Sequence, residues 1–179
     1  MFDFAKLAKF NLAKGSHKQP NENGDICINE AAIIAAGFEY KSVDSWKDCP
    51  PCFSKVIAQY AIDINDRMPD DLRNELLKPF VIQLSGTADT KEVELARVNY
   101  LVLETVRRIN AYICRKWMKR EDFAKRCEAI TKISEIKPLM KEIRDAAYAA
   151  AAYADYDAAK RQEWRVAQSD KLIELLKSA

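Results

Sequence analysis

Apolar residues recur every three to four positions through most of this chain, the spacing of amphipathic helices. Phe4, Leu7, Ala8 and Leu12 give it over residues 3–13, so a helix is expected there. A polar loop, G-S-H-K-Q-P-N-E-N-G-D, follows at 15–25. Asp25 is placed to cap a helix over 26–36 that Gly37 stops. On that helix Cys27, Glu30, Ala31 and Ile34 share a face. Residues 38–48 form an irregular linker with Tyr40 and Trp46 tucked onto the core. The clearest stripe, Phe53, Val56, Ile57, Tyr60, Ala61 and Ile64, predicts a helix from Pro51 to about Asp66. Pro69 opens a short helix with Asp70 and Asp71 in its first turn, where the dipole favours anions. Pro79 ends or kinks it, and Phe80–Leu84 is a short apolar run that could be extended.

Beyond the S-G-T-A-D turn at 85–89, Asp89 and Glu92 read as a capping box. A long helix is expected over 90–117, with Val93, Ala96, Tyr100, Leu103, Val106, Ile109 or Asn110, and Ile113 inward. A shorter one over 121–130 carries Phe123, Cys127 and Ile130. After Pro138 there is no further proline or glycine up to Lys177, and alanine dominates D-A-A-Y-A-A-A-A-Y-A-D-Y-D-A-A-K. Alanine is the best helix former, so a long C-terminal helix is expected over 138–179. Forty residues at ~1.5 Å rise would reach ~60 Å, more than a compact domain of this size. Such a helix protrudes, breaks or pairs with a second copy, and a homodimer is the expectation.

The expected fold is therefore all-α: a single domain, 1–179, of six or seven helices, with a core bundle over 1–137. A chain of 179 residues can bury a core, and 4 glycines and 6 prolines leave few tight turns for an all-β fold. The net charge of +2 excludes attraction of nucleic acid by the whole surface, and no sequence-specific nucleic acid is expected as a partner. No run reaches the ~20 apolar residues of a membrane span, so no membrane is expected. The first residues lack the apolar core of a secretory signal. Five cysteines, an odd number without secretory context, read as reduced thiols in a cytoplasm.

Three patterns carry candidate chemistry. C-P-P-C at 49–52 could hold zinc through Cys49 and Cys52 with Cys27 and His17. A second closely spaced pair is missing, so structural cysteines and no bound metal or cofactor are expected; a reactive Cys52 in a first helical turn is the remaining alternative. Glu30 either reaches water at the helix edge or is a buried carboxylate that needs a cation or donors. The third pattern is the basic stretch 107–126, where Arg108, Tyr112, Arg115 and Lys119 share a face. Cations can hold phosphate while the tyrosine stacks a base, or the face is simply a solvated helix end. A small anionic ligand there would draw further charge from Arg73, Lys78 and Arg97 and a hydroxyl from Thr87, with Glu30 orienting an arginine or accepting from a base or ribose.

The runs C-I-N-E-A at 27–31, D-C-P-P-C at 48–52, N-D-R-M-P-D at 65–70, R-N-E-L-L-K-P at 73–79 and G-T at 86–87 resemble a family of uncharacterised helical proteins of bacteria and bacteriophages. So do the alanine- and aromatic-rich segment 146–159 and the leucine-rich close at 172–176. The chain departs from that pattern at Cys49, where the family more often has His, and at Asn29, where it has Met. The resemblance brings no established activity. It implies a phage or mobile-element accessory protein that binds a host component, an anti-defence protein that inhibits a host system by binding a host protein or sequestering a phosphate-bearing nucleotide. A scaffold assembling through the C-terminal helix, and a thiol- or metal-dependent enzyme using Cys49, Cys52 and Glu30, are the alternatives.

Overall fold

The computed structural model describes residues 7–150 of the chain. The rest of the alanine-rich segment, and with it the dimer expected from that helix, lies outside the described residues. What is described is mostly helical, as the spacing predicts, and divides into two compact units between Glu94 and Leu95.

Of the helix expected over 3–13, residues 3–6 lie outside the described residues and Leu7 is helical, but the chain then turns, with Phe10 N donating to Leu7 O, and Asn11–Leu12 form a short strand, β1. It pairs in parallel with β2, Asp25–Ile26, which places Leu12 opposite Ile26. Gly24 makes the pairing possible. Its φ is 73°, and a Cβ there would lie 2.4 Å from Lys9 O. Helical spacing yields here to side chains from elsewhere that bind the backbone of β1, described below.

Helix α1 spans Ile28–Ala35 and is capped by Cys27, not by Asp25, which β2 uses. Gly37, at φ 82°, ends it as expected, with its N–H on Ile34 O and that of Phe38 on Ile33 O. A 3-10 turn at Trp46–Asp48 carries its own Ser45–Asp48 capping box. Helix α2 is Lys55–Arg67; it starts at the Ser54 cap rather than at Pro51, because the Ser54 hydroxyl satisfies the N–H of Ile57. Helix α3 is Asp70–Leu77, after Pro69. The run Phe80–Leu84 is not extended: Lys78–Gln83 is a 3-10 helix that turns Val81 and Leu84 into the core. Isoleucines 26, 28, 33, 57 and 64 fill that core with Leu77 and Leu84, all fully buried. Each contributes about 1.5–3 kcal/mol by leaving water.

The helix expected over 90–117 is continuous but not uniform. Helix α4, Lys91–Glu104, passes through a π-helical stretch, Thr105–Asn110, into α5, Ala111–Lys116. Its cap is Thr90, whose hydroxyl accepts from Val93 N, and not the expected Asp89–Glu92 box. Helix α6 is Glu121–Ala129, and α7, Ile133–Ala150, begins five residues before Pro138. The α7 entry is fixed by Glu135, which accepts from the N–H groups of Thr131 and Lys132. The second core joins Val106, Ala111, Cys114, Phe123, Ala124, Cys127, Ile130 and Leu139. No helix among the described residues is long and apolar enough to cross a membrane.

Candidate functional site

Glu30 is completely buried, and its carboxylate is a hub. Oε1 accepts from the backbone N–H of His17 at 2.8 Å and of Val43 at 3.1 Å. Oε2 accepts from Cys27 N at 2.7 Å and lies 3.1 Å from His17 Nδ1. Charged-acceptor bonds of this kind offset the desolvation of a carboxylate. The Tyr40 hydroxyl completes the knot by donating to His17 O at 2.7 Å. Burial, then the Glu30 charge, raises the Tyr40 phenol and the Cys27 thiol well above their ordinary values. One carboxylate thus ties the 13–24 loop, α1 and the linker together.

The N-D-R-M-P-D-D-L-R-N-E-L-L-K run is a clamp on the strand β1. Arg73, 2% exposed, donates to Asn65 O, Met68 O and Leu12 O and pairs with Asp70 at 2.7 Å. Two of those carbonyls belong to the C-terminal end of α2, where no intrahelical donor remains, so Arg73 closes that helix. Asn74 holds Leu12 from both sides, accepting from its N–H and donating to its carbonyl. Lys78 donates to Phe10 O at 2.6 Å. Asn65 donates to Ala13 O, and Asp66 accepts from Gly15 N. These backbone contacts, invisible to helical spacing, hold 10–15 in its strand.

Thr87 accepts from Ser54 N and donates to Leu84 O, and Glu94 accepts from the Ser54 hydroxyl and Val56 N. Together they fix the entry to α2. Cys49 and Cys52 are half-buried free thiols packed against the first core, and Cys27 is a buried helix cap. Burial, then the charge of Asp48, pushes the Cys49 thiol up to about 12, against nucleophilic use. His17 is engaged by Glu30. Among the described residues no three His, Cys, Asp or Glu side chains converge on a point that could hold a metal.

In the second unit the arginines of the basic stretch are answered by carboxylates. Arg115 grips Glu121 through two nitrogens and reaches Glu128 at 2.9 Å. Arg120 pairs doubly with Asp122 and lies over the Phe123 ring, 4.1 Å from its centre. Arg126 pairs doubly with Glu142; Arg108 pairs with Glu104, and Arg107 donates to both Glu104 and Ile130 O. Tyr112 meets Trp117 edge-on at 6.2 Å. Lys119 sits at φ 55° in the turn between α5 and α6, a left-handed position that a glycine would fill without strain. Arg97 lies half-buried on α4. So the expected site residues separate: Glu30, Arg73, Lys78 and Thr87 belong to the first unit, and Arg97, Arg108, Tyr112, Arg115 and Lys119 to the second.

Two open apolar surfaces stand out among the described residues, neither singled out by motif reading. Helix α4 buries none of its residues, and Leu95, Val98 and Val102 run along it exposed, Leu95 at 60%. Its sequence carries the signal: V-E-L-A-R-V-N-Y-L-V-L is apolar on more than one stripe. The other is a cleft in the first unit of about 470 Å³, lined by Phe10, Gln19, Pro20, Ile34, Phe38 and Tyr40. Phe38 directly follows the helix-ending Gly37, a place where an apolar residue usually packs back on its helix.

Compared with known proteins, the chain matches no family model, no curated protein and no solved structure.

Proposed function

We propose that the protein is a non-catalytic binding protein and that its partner is another protein, met through the apolar face of α4 in the second unit. The observation that carries this reading is α4 itself: a fourteen-residue helix with no buried residue and with Leu95, Val98 and Val102 in solvent. A row of apolar side chains held in solvent is the kind of surface that marks a docking site. The groups that could have argued for other classes support it from the opposite side. Glu30, Arg73, Lys78 and Thr87 are engaged by the protein's own backbone, and Arg108 and Arg115 by its own carboxylates. A phosphate-bearing nucleotide would have to displace those carboxylates, whereas an apolar protein surface displaces nothing but water. The resemblance to phage and bacterial helical proteins supplies the setting, with a host protein as the partner and inhibition of a host system as the outcome.

The experiment compares capture from a bacterial lysate by the wild-type chain and by Leu95→Asp combined with Val98→Asp, with sedimentation of both run alongside. A specific protein retained by the wild type and lost with the double variant supports the reading. Retention of the same proteins by both overturns it. Self-association lost with the double variant would make α4 an assembly surface and favour the scaffold alternative. A nucleotide recovered from the denatured wild type would favour the basic face.

A further inference from the structure

The first unit holds a cleft independent of α4. Its volume of about 470 Å³ falls in the size range of small-molecule pockets, roughly 300–1,000 Å³. The cleft is built rather than incidental, because its two walls are fastened to one buried group. One wall, Gln19 and Pro20, follows His17, whose N–H and ring both meet Glu30. The other, Phe38 and Tyr40, precedes Val43, whose N–H meets the same carboxylate. Tyr40 also joins the walls directly through its bond to His17 O. A ligand entering it would not have to organise loops first, which favours binding.

Phe38 is the second observation. The left-handed Gly37 and the Phe38 N–H to Ile33 O bond fix its backbone, yet the residue stays 45% exposed. An aromatic ring displayed on a fixed backbone at the mouth of an aromatic-lined cleft has one face for a ligand. The chemistry of the lining defines that ligand. Three aromatic rings, Ile34 and Pro20 supply flat apolar walls, and no lining residue carries a charge at neutral pH. The Tyr40 hydroxyl is already engaged, which leaves the Gln19 amide as the side-chain handle. Lys9 lies over the Phe10 ring at 5.1 Å and disfavours the cationic ligands that aromatic cages otherwise take.

We infer that this cleft binds a small, neutral, planar aromatic molecule of one or two rings, stacked on the Phe38–Tyr40 wall and hydrogen-bonded to Gln19 on the wall opposite. Indole is the probe, with the Ile34 methyl signals of the full-length protein followed by NMR. A saturable shift centred on Ile34 is expected. Phe38→Ala should weaken binding at least fivefold with an unchanged unfolding midpoint, because that ring is already half in water. Gln19→Ala should weaken it less. Benzyltrimethylammonium and indole-3-acetate should both bind more weakly than indole. A shift that rises linearly without saturating overturns the inference, as does a Phe38→Ala protein that binds like the wild type. Equal or tighter binding of either charged probe overturns the neutral ligand class.

Discussion

Glu30 and Arg115 are both charged residues at the centre of polar clusters, one in each unit, and they do opposite things. Glu30 is shut away from water and holds backbone from three segments. Arg115 sits at the surface and holds side chains, Glu121 and Glu128. In the first case the charge organises the chain, because leaving its donors unpaired in the interior is expensive. In the second, water can replace the partners, so the pairs decorate a core assembled by Val106, Phe123, Cys127 and Leu139. Burial, not charge density, separates a structural ion from a surface one.

Removing the buried hub should sharpen that difference most. Glu30→Ala leaves the N–H groups of His17, Cys27 and Val43 without their acceptor and should cost about 3–5 kcal/mol in urea unfolding. Glu30→Gln, which keeps one acceptor oxygen, should cost less. Arg73→Met comes next, at about 2–4 kcal/mol, since three carbonyls lose a donor while the exposed Asp70 regains water. Its signature is local: amide exchange at Leu12 and Ala13 should quicken more than in the rest of the first unit. An Arg73 variant that unfolds like the wild type would break the comparison.

Smaller effects are expected in the second unit. Lys119→Gly should stabilise by about 1 kcal/mol through relief of its left-handed backbone. Arg115→Ala should lower the unfolding midpoint only slightly, because water replaces its partners. The pH response follows from the same pairs. Arg120 holds the Asp122 carboxyl down from 3.8 to about 2, and Arg115 and Arg126 lower Glu121 and Glu142. Groups depressed in the folded state stabilise above their unfolded values and lose that contribution as pH falls through the folded ones. Stability should therefore decline between about pH 4 and 2, and added salt should flatten the decline because all of these groups face water.

The helical class, the Gly37 stop, the Pro69 start and the α2 stripe from Phe53 to Ile64 were legible because local spacing and turn chemistry decide them. The β1–β2 pairing was not. Phe4, Leu7, Ala8 and Leu12 have helical spacing, and only the distant Arg73, Asn74 and Lys78 override it. The sequence left Glu30 open between an edge carboxylate and a buried one, and its burial depended on loops that spacing does not position. The basic stretch has only Glu121 and Asp122 within it, so its cations outnumber its anions in sequence; Glu104 meets it from the preceding helical turn, and Glu128 and Glu142 only in space. Residues such as Leu95 and Phe38 carried no motif; their signal was excess apolarity beyond one buried stripe.

The central claim is that binding belongs to apolar surface and that the conspicuous charges serve the fold. It is tested most directly by setting two double variants side by side in one capture experiment. Leu95→Asp with Val98→Asp should lose the retained partner. Arg108→Glu with Arg115→Glu should keep it, with both proteins folded by circular dichroism. The reverse pattern, capture surviving on the acidified α4 and vanishing with the reversed arginines, would contradict the account and return the site to the basic face.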